Sequence, residues 1–135
     1  MISRRFPTVL VAAAAAHACT VHPEQTIVGD FFAASRLRDL TALSRFATLV
    51  FEPRERGTIV TFTILGVSDE HSEGGLQVKD VAIDATVRTP DGETVQKPFV
   101  VRLQRRGRDS GAEPPAIYDG WIVTGVTDGP ASPPL

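Results

Sequence analysis

Residues 76–89 read LQVKDVAIDATVRT, residues 94–106 read TVQKPFVVRLQRR, and Pro90-Asp91-Gly92-Glu93 lies between them. Both runs alternate. Val81, Ile83, Ala85 and Val87 share one face of the first, and Val95, Phe99, Val101 and Leu103 share one face of the second. Alternation at period two marks a half-buried strand. Thr89-Pro90-Asp91-Gly92 is a turn, in which proline presets its own φ and glycine supplies a left-handed position. With Pro90, Asp91 and Gly92 as the loop, Val87 opposes Val95, Ile83 opposes Phe99 and Val81 opposes Val101. The same register sets Asp80 against Arg102 on the other face, a favourable cross-strand charge pair. A slip of one residue would bring apolar side chains opposite polar ones, so the hydrophobic pattern fixes the pairing.

The pattern extends outward from this hairpin. Thr58 to Val67 is dense in Ile, Val, Phe and Thr and reads as a strand. Ser68 to Gly75 is charged and glycine-containing and reads as a loop. Ile117 to Thr127 reads as a last strand around Trp121-Ile122-Val123. Arg106 to Pro115, with Gly107, Gly111, Pro114 and Pro115, reads as a loop. Upstream the period changes. Pro23-Glu24-Gln25 is a helix start, with proline in the first turn and an acid at the positive end of the dipole. Ile27, Phe31 and Ala34, with Val28 and Phe32 beside them, follow helical spacing. Asp39 can cap a second helix carrying Leu40, Leu43, Phe46 or Ala47, and Val50, which Pro53 ends. Arg36, Arg38 and Arg45 face water. The expected fold class is α+β: two N-terminal helices packed on a curved antiparallel sheet of about four strands.

The first eighteen residues are of another kind. Arg4 and Arg5 form a positive n-region, the run from Pro7 to Ala16 is a short apolar h-region, and Ala16-His17-Ala18 supplies small residues at a cleavage point. This is the order of a secretory signal, and the run is too short to span a bilayer. The residues after Arg4-Arg5 fit the twin-arginine motif poorly. The expected organisation is a signal at 1–18, a linker at 19–22, one domain at 23–127 and a polar, proline-rich disordered tail at 128–135. The expected address is the cell envelope.

Cys19 is the only cysteine, so no internal disulfide forms. It follows Ala16-His17-Ala18 directly and resembles the lipidated cysteine of a bacterial lipoprotein. The usual lipobox has leucine three positions before the cysteine and a small residue two before; Ala16 and His17 stand there. Lipidation is the expectation, anchoring the chain to a membrane at about 0.8 kcal/mol per buried methylene. Ordinary cleavage after Ala18 obeys the same small-x-small rule and would leave a secreted protein, and a free surface thiol is a third reading. Loss of Arg4 and Arg5 takes the formal charge from −2 to −4. A mildly acidic chain is a poor partner for nucleic acid.

Thr26-Ile27-Val28-Gly29-Asp30-Phe31-Phe32-Ala33-Ala34, Leu40-Thr41-Ala42-Leu43 and Asp119-Gly120-Trp121-Ile122-Val123 lie in the order helix, helix, meander. Across residues 23–127 the chain resembles the nuclear-transport-factor-two-like, or cystatin-like, superfamily, and within it the small lipoprotein branch. The resemblance implies a cone-shaped domain. Some relatives are ketosteroid-isomerase-like or polyketide-cyclase-like enzymes, which set an acid, often aspartate, with a tyrosine or histidine inside the cone. If this chain were such an enzyme, Asp80, Asp84 and Tyr118 would be its catalytic residues, since general acid–base work needs a carboxyl in a dry site.

The plainer reading puts Asp80 and Asp84 on an exposed sheet face, His71 in a solvated loop and Tyr118 in strand-edge packing. Asp30 and Glu52 fall at helix positions that point toward a cone opening. No metal-ligand cluster, calcium loop, Ser-His-Asp set, phosphate loop or dinucleotide fingerprint occurs, so neither cofactor nor metal is expected. Arg102, Arg105, Arg106 and Arg108 form a small basic cluster that could touch anionic lipid or a partner, though a solvated strand end is its ordinary explanation. The expected function is a non-catalytic binding domain. Its partner would be an envelope protein or a small apolar ligand, taken on the concave sheet face. A pocket enzyme and a structural or assembly protein are the alternatives.

Overall fold

A computed structural model describes residues 22–106 and 117–129 of the 135-residue chain. The signal, Cys19, residues 107–115 of the glycine-rich loop and residues 130–135 lie outside the described residues. The elements run α1 (Glu24–Leu37), α2 (Leu40–Leu43), α3 (Pro53–Arg56), β1 (Thr58–Val67), β2 (His71–Glu73), β3 (Leu76–Arg88), β4 (Thr94–Arg106), a 3-10 turn (Ile117–Gly120) and β5 (Ile122–Asp128). The fold is α+β with one antiparallel five-stranded sheet. Its order is β1-β3-β4-β5, and β2 also pairs with β3.

The β3–β4 hairpin has the register read from the sequence: Val87↔Val95, Ile83↔Phe99, Val81↔Val101 and Asp80↔Arg102. Its turn is closed by Gly92 N–H on the Thr89 carbonyl at 2.9 Å, with Gly92 at φ 93°. The odd-numbered side chains of β3 and β4 form the inner face. Val81, Ile83, Ala85, Val87, Phe99, Val101 and Leu103 are buried there. The even-numbered ones, including Asp80, Asp84 and Arg102, form the outer face.

Helix α1 lays Ile27, Val28, Phe31, Phe32 and Ala34 on the inner face. The space between helix and sheet is filled. Edge-on aromatic contacts run Phe31–Phe32 at 5.2 Å, Phe32–Phe51 at 5.3 Å and Phe51–Phe99 at 5.5 Å. Ring pairs of this geometry add about 0.5–1.5 kcal/mol beyond their area burial. Buried Ser35 accepts the Phe51 N–H at 3.0 Å and so holds the loop after α2 against the helix.

Three elements differ from the sequence reading. Arg38–Asp39 is a break: Arg38 takes a left-handed φ of 53°, and Asp39 caps α2 by accepting the Ala42 N–H at 3.0 Å. The second helix is then a single turn. Beyond it the chain leaves the helical path to pair with β5. Val123 N–H donates to the Phe46 carbonyl at 2.8 Å and Thr48 N–H to the Val123 carbonyl at 3.0 Å, a parallel bridge that covers the β5 edge.

The segment read as a loop contains β2, which brings the strand count to five. Gly74 and Gly75, at φ 58° and 84°, turn β2 into β3 in two residues, the geometry of a type I′ hairpin. The stretch read as one strand from Ile117 opens instead with a 3-10 turn. At the far end, β5 includes Asp128, and Gly129 N–H reaches the Pro98 carbonyl at 3.0 Å.

Candidate functional site

Alternation along β3 and β4 places Lys79 and Arg105 on the side of the sheet that carries the core. Lys79 shares the side of Val81 and Ile83; Arg105 shares the side of Leu103. Both lie at the end of the sheet where α1 begins. There Glu24, in the first turn of α1, meets Lys79 with Oε2 2.8 Å from Nζ. The two side chains are only 9% and 13% exposed. Two charges withdrawn this far from water persist only because each satisfies the other. Trp121, which enters β5, supplies the ring beside them. Lys79 Nζ stands 4.1 Å and Arg105 Cζ 4.7 Å from its centroid, within cation–π range. Arg105 also donates to Glu70 Oε1 at 3.1 Å.

These groups surround an open cleft of about 460 Å³. Ile27, Leu103 and Trp121 form its apolar base. Glu24, Lys79, Glu70, Arg105 and Asp119 form its charged rim, with Pro23 and Tyr118 completing the wall. The size falls in the range of small-molecule sites, and its lining is more polar than the mainly apolar lining usual there.

The rim is held in an uncommon backbone conformation. Tyr118, Asp119 and Gly120 are three successive residues with positive φ, at 53°, 59° and 84°. Non-glycine residues in this region are strained by about 1–3 kcal/mol each and persist where the surroundings fix them. Here they are fixed on two sides. The Tyr118 hydroxyl donates to Asp30 of α1, and its ring packs edge-on against Phe46 at 5.1 Å. Burial, then the bond to Asp30, pushes the Tyr118 phenol up to about 12, so it stays protonated as a donor at ordinary pH.

The sequence-derived enzyme set is not brought together. Asp80 sits on the outer face, in a two-point contact with Arg102 at 3.0 and 3.3 Å. Arg102 also lies 3.5 Å from Glu73, which ties β2 to the same face. Asp84, on that face too, accepts from Gln96 at 3.3 Å. Tyr118 packs against α1, on the opposite side of the sheet. General acid–base catalysis needs its groups within hydrogen-bond reach of one substrate atom, and these three share no cavity. His71 is exposed, and its bond to Glu73, then its bond to the accepting Asp69 carbonyl, raise its pKa. Glu52 pairs with Arg38 at 3.5 Å and caps α3.

Of the polar residues singled out in the sequence, Asp30 and Tyr118 meet at the cleft wall. Glu24, Lys79, Glu70, Arg105 and Asp119 carry the rim, and of these only Arg105 belongs to a group singled out in the sequence, the basic cluster at the end of β4. The readable sign was a charge on an apolar strand face at Lys79 and Arg105. A second, apolar groove of about 280 Å³ lies between Leu40, Leu43, Ala47, Leu49 and Val50. Among the described residues no three potential ligands cluster for a metal ion, and no helix is long and apolar enough to cross a membrane.

Comparison with protein-family models, with curated proteins and with solved structures finds no match, so the reading of this cleft rests on its own residues.

Proposed function

We propose that the chain is an exported, lipid-anchored envelope protein whose domain binds a small ligand without catalysis, and that the cleft at Trp121 is the binding site. The observation that carries the reading is the cleft itself. It is an open volume of about 460 Å³ with an apolar base and five charged side chains on its rim. Its wall is built on the left-handed turn at Tyr118–Gly120, tied to α1 through Asp30, and on a buried ion pair, and sites on fixed supports hold their geometry. This shifts the seat of binding from the concave sheet face, which the phenylalanines fill, to the end of the sheet. It also alters the expected ligand, because a charged rim suits an amphiphilic molecule better than a purely apolar one.

We further propose that the domain is a reduced form of the cystatin-like arrangement. The supports are one long helix across an antiparallel meander, and bulges in β1 and β5 that bend the sheet. The separation of Asp80 and Asp84 from Tyr118 argues against the ketosteroid-isomerase-like alternative.

Export and anchoring are tested together by fractionation. Cys19→Ala is expected to move the processed protein from membranes into the soluble fraction, and unchanged fractionation would refute the anchor. Binding is tested through Trp121, the sole tryptophan. A panel of zwitterionic, anionic, cationic and apolar small molecules is expected to contain at least one that shifts its emission saturably. A flat response across the panel would refute the site.

A further inference from the structure

Pro23 and Glu24 form one wall of the Trp121 cleft. Cys19 stands four positions before Pro23. A chain spans at most about 3.6 Å per residue, so an acylated Cys19 holds this wall within about 14 Å of the bilayer surface. Helix α1 runs on from this wall for 14 residues, roughly 21 Å at 1.5 Å per residue. The cleft is therefore at the anchored end of the molecule, and the exposed Leu37 and Leu40 are at the distal end.

Resting on the anchored-binding reading, we propose that the cleft takes the zwitterionic headgroup of a membrane phospholipid, a phosphate joined to a primary ammonium. The donor count supports the phosphate. A lysine ammonium has three N–H donors and a guanidinium five. Lys79 donates to Glu24, and Arg105 to Glu70, at one oxygen each among the described residues. Two donors on Lys79 and four on Arg105 are left beside Trp121. A planar guanidinium and an ammonium together match a phosphate's several acceptor oxygens.

The residual charge supports the ammonium. Lys79 and Arg105 are each neutralised by a carboxylate, which leaves Asp119 as the uncompensated charge on the rim. Asp119 is exposed and has no ion-pair partner among the described residues. A wholly anionic headgroup would meet repulsion there. A choline headgroup lacks an N–H to donate. An ethanolamine headgroup satisfies both ends, and its glycerol would face the bilayer from which it came.

The test uses the full chain carrying Cys19→Ala, so that acylation cannot supply membrane binding. Trp121 emission is titrated with glycerophosphoethanolamine, glycerophosphoglycerol and glycerophosphocholine, and the same protein is floated with phosphatidylcholine vesicles with and without phosphatidylethanolamine. The expected results are a saturable shift with glycerophosphoethanolamine at an affinity at least about tenfold above the other two, and flotation only when phosphatidylethanolamine is present. Arg105→Gln is expected to weaken binding about tenfold or more, the loss of a charge-assisted contact. Asp119→Asn, at an exposed position, is expected to bind while losing the preference for ethanolamine over glycerol. Far-UV circular dichroism checks that both variants fold.

A flat response to glycerophosphoethanolamine overturns the proposal, as does an Asp119→Asn variant whose preference is unchanged. If another small molecule of the wider panel shifts Trp121 saturably, the headgroup assignment falls and the binding site stands. If none does, both fall.

Discussion

Replacing Lys79 by methionine leaves Glu24 with its carboxylate buried and unanswered. The pair is 2.8 Å apart, and both side chains are less than 15% exposed (13% and 9%), so water cannot take over the lost contact without rearrangement. Breaking such a pair from one side costs about 3–5 kcal/mol. Loss of the ammonium at 4.1 Å from the Trp121 centroid removes a further ~1 kcal/mol, and methionine's own packing against that ring returns part of it. A domain of this size has about 5–15 kcal/mol of stability, so Lys79→Met is expected to remove about a fifth of it or more. The pair itself is another matter. With Glu24→Gln added, no buried charge is left, and the double variant is expected to recover at least half of the loss. Urea denaturation followed by far-UV circular dichroism reads both quantities, because the ellipticity does not depend on the Trp121 environment. A Lys79→Met variant within 1 kcal/mol of the parent would refute the claim that this end of the cleft is a dry, fixed ion pair. So would a double variant no more stable than the single one.

Gly57, at φ 86°, has no room for a side chain, since a Cβ there would lie 2.5 Å from the Arg88 carbonyl oxygen and 3.0 Å from Val87 Cγ1. Gly57→Ala is therefore expected to cost ~3 kcal/mol or more and to lower Tm by roughly 10 °C or more; calorimetry showing a change below 2 °C would contradict the close approach of Gly57 to Val87 and Arg88. Tyr118 is the sole tyrosine, so ultraviolet absorbance follows its phenol alone. Its folded pKa of about 12 lies above the ordinary 10, which means the folded state holds the proton more tightly. The stability it contributes is fully present below pH 10 and is lost as pH rises through about 12. Titration near 10 in the native protein, or no downward shift in Asp30→Asn, would contradict the contact.

The parts of the fold legible in the sequence are those fixed locally. Thr89-Pro90-Asp91-Gly92 and two alternating runs determine the β3–β4 register pair by pair, including Asp80 with Arg102, because a one-residue slip inverts every side chain. The single-turn α2 was over-read for a physical reason. Leu40, Leu43, Phe46 and Val50 satisfy helical spacing, yet the backbone after Leu43 finds partners on Val123, some seventy-five positions later. No local pattern announces that competition. β2 is three exposed residues with no apolar alternation, and only Gly74-Gly75 hinted at its hairpin.

The site was less legible than the fold. Tyr118 and Asp30 were noticed separately, but their meeting depends on the left-handed turn at Tyr118-Asp119, which propensity does not foresee at a non-glycine residue. Lys79 was visible as a charge on an apolar face. Its partner Glu24 reads as an ordinary helix-start acid, and a separation of 55 positions hides the pair.

The claim that function resides in the Trp121 cleft is met most directly by mapping amide chemical shifts as glycerophosphoethanolamine is added to the full chain carrying Cys19→Ala. Shifts confined to Glu24, Ile27, Lys79, Arg105 and the run Tyr118–Trp121 are expected. Shifts centred on Asp80, Asp84 and Arg102 on the outer face, or on the groove at Leu43 and Val50, would contradict it.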